Sequence, residues 1–216
     1  MASQTQQLEN PSIPALGYPT EVYERRHFNE NNGALNTYFR KLSSVLGSLF
    51  GPRGGRFMNN PYGSFQDSTD QTAANTTTAY AVKFNTTDFS NGVTVASTTR
   101  ITVVDAGIWN CQFSIQFKNT TNDTQDVDVW FRKNGSDIAN SNSRFGLSAR
   151  KSAGDPSHTV AAMNFFASMN STDYLEIMWR PSNVGVSIEQ YAAGTSPTRP
   201  TIPSAIVTMS FVSNIT

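Results

Sequence analysis

Apolar positions along this chain change their spacing twice. Up to about residue 31 they keep no period, over 32–51 they recur every three or four residues, and from about 63 onward they alternate with polar ones. The first stretch holds Pro11, Pro14 and Pro19 among scattered polar residues, which predicts an extended arm with no core of its own over 1–31. Such a segment is either a free tail or an arm laid along a neighbour. On the second reading its anchors are Ile13, Leu16, Tyr18, Val22, Tyr23 and Phe28.

The second stretch predicts one amphipathic helix over 32–51. At 100° per residue, Leu35, Tyr38, Phe39, Leu42, Val45, Leu46, Leu49 and Phe50 fall within an arc of about 140°. Asn36, Thr37, Arg40, Lys41, Ser43, Ser44, Gly47 and Ser48 fill the opposite side. Asn31 or Asn32 suits the N-cap, and Gly51-Pro52 ends the helix. Leu35, Tyr38, Leu42, Val45 and Leu49 keep heptad spacing, and Phe39 and Leu46 widen the stripe, which suits three or more helices better than two. A helix this short is marginal alone in water, so the stripe must be covered. Its own β domain is one candidate cover, and the same helix of sister subunits is the other. The expectation is a trimerisation helix, because the segment lies between the arm and a Gly/Pro-rich hinge over 52–62, outside the strand series.

The third stretch, 63–216, reads as β throughout. Trp109, Cys111, Phe113, Ile115 and Phe117 alternate with Asn110, Gln112, Ser114 and Gln116, and Val127, Val129 and Phe131 with Asp126, Asp128 and Arg132. Trp130 falls on the polar side of its run. Asn134-Gly135 fits a tight hairpin turn, since both residues tolerate positive φ. Further strands are predicted at 80–84, 92–96, 99–103, 159–168, 174–179, 185–191 and 204–212. Many short strands parted by turn residues, with no helical pattern between them, predict an antiparallel sandwich or barrel.

Composition narrows the function classes. Only 15% of residues are charged, 16 basic against 16 acidic, so no net field draws the chain to nucleic acid or to an anionic membrane. Neither nucleic-acid binding nor membrane insertion is expected. The stretch after Met1 lacks a basic start and an apolar run, so no secretion signal is expected, and the N-x-[ST] sequons at Asn75, Asn85, Asn119, Asn122, Asn134 and Asn170 read as ordinary Asn- and Thr-rich surface.

Candidate chemistry is sparse. Cys111, the single cysteine, lies on an apolar strand face and reads as a small core residue. His27 and His158 have no partner at metal-ligand spacing. GPRGGR follows no strand and lacks the Lys-Ser/Thr ending of a phosphate loop, which leaves a hinge. Asp123, Asp126, Asp128 and Asp137 would suit Ca²⁺ if their loops converged, and otherwise form a solvated strand edge. Asp173 with Glu176, and Glu189 with Asp155, are the only acid pairs worth testing for glycoside cleavage. No catalytic residue, cofactor or metal is assigned. Trp130 and Tyr191, with loops 140–157 and 192–203, are the expected surface-binding features. Packing between subunits is the other reading of Trp130.

Two resemblances bear on identity. In order, TRITVVDAGIWNCQFSIQF, VWFRKNGSDI, FFASMNSTDYLEIMW and SAIVTMSFV resemble successive segments of the jelly-roll family that includes the complement globular head and the tumour-necrosis-factor domain. Gly107 and Trp109 stand in the expected places, while Thr172-Asp173 replaces that family's Gly-Asp turn. The stretch NTYFRKLSSVLGSLFGPRGGRFMNNPYGSFQDSTDQTA is similar to the leader of many tailed-bacteriophage virion proteins. Together they imply an all-β fold, an antiparallel jelly-roll sandwich preceded by an extended N-terminal arm and one short amphipathic helix. They also imply a homotrimer in the virion, a fibre, appendage or adaptor whose arm engages other virion proteins of tail or capsid. The runner-up is a receptor-binding module for a host surface glycan. A carbohydrate-cleaving enzyme comes third, with no activity expected.

Overall fold

The computed structural model describes residues 11–18, 21–50 and 60–214. They divide into two compact units, one ending at Asn59 and one beginning at Asn60. The second is all β, and eight principal strands carry it: β1 (Tyr62–Asp67), β2 (Arg100–Val103), β3 (Gly107–Asn119), β4 (Gln125–Lys133), β5 (Ser143–Leu147), β6 (Ser157–Met169), β7 (Tyr174–Pro181) and β8 (Ala205–Ser213). Every pairing among them is antiparallel. One sheet runs β1-β8-β3-β6, and the other runs β2-β7-β4-β5. That order is a jelly roll, two interlocked Greek keys closed into a sandwich. Short strands extend the sheets, with Thr86–Asn91 beside β1, Val93–Ala96 beside β2 and Val186–Ile188 beside the end of β3.

The alternation of β3 is what folds it. Trp109, Cys111, Phe113, Ile115 and Phe117 are all buried, and β6 pairs with the strand from Gly107↔Met169 to Asn119↔Ser157. Val127, Val129 and Phe131 of β4 meet them from the other sheet and are equally buried. Aromatic contacts knit the layers, with Phe131 stacked on Phe165 at 4.6 Å and Phe117 against Trp179 at 5.8 Å, while Trp109 meets its cross-strand partner Phe211 edge-on at 5.5 Å within one sheet. Each such ring contributes roughly 1.5–3 kcal/mol by leaving water. The Asn134-Gly135 turn forms as expected, with φ of +49° and +81°.

Several strands lie where the pattern predicted none. β1 buries one large apolar residue, Phe65, and no residue of Thr86–Asn91 is buried, so both owe their conformation to pairing rather than to amphipathic alternation. β5 falls inside the stretch read as a long loop over 140–157, held there by its ladder to β4. The strands predicted at 80–84 and 185–191 shrink to Tyr80–Ala81 and Val186–Ile188. The β unit starts ahead of residue 63, because β1 begins at Tyr62.

In the first unit, α1 spans Arg25–Phe50 and so begins earlier than the expected residue 32. Its first turn closes through Phe28 N–H to the Glu24 carbonyl at 3.1 Å. Asn31, expected as N-cap, lies inside the helix; its Oδ1 accepts Gly17 N–H at 3.1 Å and its Nδ2 meets His27 Nε2 at 3.1 Å. The described part of the arm is therefore tied back to the helix at Gly17, and Phe28 belongs to the helix. The stop at Gly51-Pro52 and the hinge residues 51–59 lie outside the described residues. Among the described residues no helix is long and apolar enough to cross a membrane.

The β6–β7 turn carries backbone strain. Thr172 has φ +69°, a region that costs a β-branched residue about 1–2 kcal/mol. Its N–H still donates to the Val103 carbonyl at 2.9 Å, so the turn itself is well held. Thr172→Gly is expected to raise stability by about 1 kcal/mol, seen as a higher urea midpoint at unchanged slope. A lower midpoint would show that the threonine side chain holds this turn.

Candidate functional site

Three surfaces stand out. The first is the stripe on α1. Leu35, Tyr38, Leu42 and Val45 are half-buried, while Phe39 is 58% and Leu46 is 44% exposed. No described side chain of the helix is buried within the single chain. The side chains of Leu49 and Phe50 lie outside the described residues. Because the helix starts at Arg25, the heptad run lengthens to Phe28, Asn31, Leu35, Tyr38, Leu42 and Val45. The anchor residues Ile13, Leu16, Tyr18, Val22, Tyr23 and Phe28 are all exposed, and of these Tyr23 and Phe28 pair their rings at 6.1 Å.

The second surface is the outward face of the β1-β8-β3-β6 sheet. Asn110, Gln112, Ser114 and Gln116 of β3 lie beside Phe166, Asn164, Ala162 and Val160 of β6, and Ser114, Gln112 and Asn110 beside Ile206, Thr208 and Ser210 of β8. This central field carries no charged side chain. Val160 and Phe166 stand more than half exposed, and Ile206 is also exposed. Charges gather at its margins, as in the Lys118–Glu189 pair and in Asp88, which accepts from Ser64 and Gln66.

The opposite sheet carries the contrary pattern. Arg144 and Arg180 both meet Asp128, at 2.8 and 3.4 Å, and Arg132 meets Asp137 at 2.7 Å. Glu176 accepts from Thr99 at 2.8 Å and lies 3.9 Å from Arg100, whose guanidinium sits over the Tyr174 ring. Among these charges opens the third surface, a cavity of about 360 Å³ lined by Asp128, Trp130, Asp137, Asn140, Asn142 and Arg180. Trp130 Nε1 donates to Asp137 Oδ1 at 2.8 Å, which holds the indole in place. Bonds from Arg132 and from Trp130 keep the Asp137 carboxyl below the usual carboxylate range.

Tyr191 belongs to a separate cavity of about 360 Å³ with Gln116, His158, Arg199 and Ile202, on the outer side of the first sheet. Its hydroxyl lies 3.0 Å from His158 Nδ1, and the rings meet edge-on at 5.4 Å. Burial raises the Tyr191 pKa, with Glu189 and Asp70 adding to the effect. The two predicted surface aromatics therefore do not share a site.

The remaining candidate acids serve local structure. Asp173 accepts Asn170 N–H at 2.8 Å and Asn134 Nδ2 at 2.7 Å; burial pushes its pKa up, but these bonds and Lys133 more than offset that and leave it lowered. Glu189 pairs with Lys118 and accepts from Ser187. Asp155 stands in the turn closed on Ser152, beside Lys151. Among the described residues no three metal-ligating side chains converge. Asn140 and Asn142 fall within the loop over 140–157 that the sequence reading set beside Trp130, whereas Arg180 was missing from it. The hairpin at 134–135 also pointed there, by folding Asp137 back beside Arg132.

Compared with known proteins, the chain matches no family model and no curated sequence. Its functional reading therefore rests on its own surfaces.

Cys111 lies in the sandwich core, and burial lifts its thiol from 9.0 to about 12. The native protein is expected to leave Cys111 unmodified by a disulfide reagent at pH 8, with full reaction once denaturant unfolds it. Above the ordinary thiol pKa the unfolded chain ionises first, so stability should decline with rising pH less steeply in Cys111→Ala. Fast labelling of the native chain would contradict this burial.

Proposed function

We propose that the chain is a subunit of a homotrimeric structural protein of a tailed-phage virion, a fibre, appendage or adaptor in which α1 gathers three jelly-roll lobes and the arm engages another virion protein. One observation carries the reading: a helix of 26 residues has no fully buried side chain in its apolar stripe along its described length, and Phe39 and Leu46 stand exposed. A helix of about 39 Å with such a stripe is not stable in water by propensity alone. Covering Leu35, Tyr38, Leu42 and Val45 by the same residues of two other copies satisfies all three stripes at once. Three helices leave room for Phe39 and Leu46 at the flanks of the seam, which a two-helix pair would leave wet.

The charge-free field on the β1-β8-β3-β6 sheet supports the same reading. Subunit contacts shed charge at their centres, because an unpaired charge buried there is costly, and neutral Asn, Gln, Ser and Thr side chains can pair across an axis. Phe166, Val160 and Ile206 supply apolar area in that field. The assignment to a virion draws on the resemblance of the leader segment to that of tailed-phage virion proteins.

Sedimentation equilibrium of the full chain is expected to return three times the monomer mass. Leu42→Asp with Val45→Asp should yield a monomer whose far-ultraviolet β signal persists. A wild-type monomer at micromolar concentration would overturn the trimer. In phage-producing cells, a chain lacking residues 1–24, which leaves α1 whole, should fail to enter particles; its incorporation at normal copy number would overturn the anchoring role of the arm.

A further inference from the structure

We propose that the cavity beside Trp130 is a binding site for neutral saccharides. It opens on the outward face of the β2-β7-β4-β5 sheet, away from the charge-free field of the other sheet, so an association through that field leaves it open to solvent. A pyranose presents two kinds of surface, an apolar face of C–H groups and a rim of hydroxyls. The cavity presents a matching pair.

Trp130 provides the flat apolar element. Its outward direction follows from the register, since Val129 and Phe131 on either side are buried. Its cross-strand partner Met178 is only 2% exposed although it too points away from the main core, which gives the indole a packed base. The bond to Asp137 removes the freedom of the indole ring, so ordering it on binding costs little.

The rim provides the polar element. Asp137 gives Oδ1 to both Trp130 and Arg132, which leaves Oδ2 as an acceptor for a hydroxyl. Asn140 and Asn142 are exposed and make no side-chain hydrogen bond among the described residues. An amide offers a donor and an acceptor side by side, the arrangement that vicinal hydroxyls satisfy. A site built from a few fixed polar groups around an apolar wall is the usual form of a small-ligand pocket.

Charge selects among sugars. Arg180 lies 3.4 Å from Asp128 and donates to the Thr76 carbonyl at 2.6 Å, Arg144 meets Asp128, and Arg132 meets Asp137. Arg144 and Arg180 share the Asp128 carboxylate, Asp126 lies within electrostatic reach of Arg144, and Arg132 has Asp137, so three acids balance the three cations beside the cavity. Nothing there rewards a carboxylate or phosphate on the ligand, and Asp137 disfavours one. Neutral hexoses and N-acetylhexosamines fit; sialylated or phosphorylated glycans do not.

The test uses the full chain on an array of neutral and sialylated glycans, followed by calorimetric titration of the best neutral glycan at low and high salt. The expected result is binding of a neutral glycan with an affinity that salt leaves unchanged. Trp130→Ala should weaken it by at least about tenfold, with Trp130→Phe retaining part of it. Asn142→Ala, at an exposed position that does not threaten folding, should weaken it by roughly three- to tenfold, and Tyr191→Phe should have no effect. Absence of any neutral glycan among the binders overturns the proposal. So does an affinity unmoved by both Trp130→Ala and Asn142→Ala, or a preference for sialylated glycans that fades with salt. The site is complete within one chain, so its failure leaves the trimer reading standing.

Discussion

The antiparallel ladder between β3 and its neighbours is the constraint on which the rest of the β unit depends. β3 pairs with β6 over all 13 of its residues, and with β8 and Val186–Ile188 on the other side. Side chains along a strand alternate between faces, so this one register decides what is inside and what is outside across three strands at once. A slip of one residue would put Trp109, Cys111, Phe113, Ile115 and Phe117 into water and bury Asn110, Gln112, Ser114, Gln116 and Lys118. The cost of that exchange is tens of kcal/mol by area and desolvation together, which leaves a single register open to the chain. Phe131 and Trp179 can meet Phe113 and Phe117 only because that register is held.

The same logic explains what was legible in the sequence. β3 and β4 could be read in detail because each carries a full alternation of large apolar and polar residues, a pattern that follows from burial on one face. β1 and Thr86–Asn91 carry no such pattern, and β5 has only Phe145 and Leu147 to mark its inner face. They are edge or near-edge strands whose conformation comes from ladder bonds to partners distant in sequence, as in Tyr62↔Asn91 or Phe145↔Val127. Such bonds are made by backbone groups that every residue has, so side-chain order does not announce them. The start of α1 was misread for a related reason. Asn31 has the side chain of a good N-cap, but a tertiary bond to Gly17 takes up its oxygen and the helix runs through it.

Trp130 was legible as an outward aromatic, since it breaks the alternation of its strand, but its surroundings were not. Arg180 reaches Asp128 across the β4–β7 ladder, and Asn140 and Asn142 arrive on the segment leading into β5. Arg180 arrives through a pairing between segments far apart in the chain, whereas Asn140 and Asn142 follow β4 closely and are placed by its pairing with β5. Tyr191 faces the other way, toward His158, because Val186–Ile188 follows β3 rather than β4. Which sheet a short strand joins thus decides which aromatics can share a site.

The two sheets also divide the electrostatic labour of a protein with few charges. Paired Arg, Asp and Glu residues crowd the outward face of β2-β7-β4-β5, while the centre of β1-β8-β3-β6 has none. Charges placed where water remains keep their hydration and cost little; charges placed where a second copy packs must be stripped of water or paired. With equal numbers of acidic and basic residues, the chain has no net charge with which to discourage association. Local charge then determines where association is tolerated, and the neutral sheet face and the α1 stripe are the two surfaces that offer least resistance. In the proposed homotrimer the chain meets its copies through the neutral side of the sandwich and the solvent through the charged side, which is the division of surface that a displayed, multi-copy lobe requires.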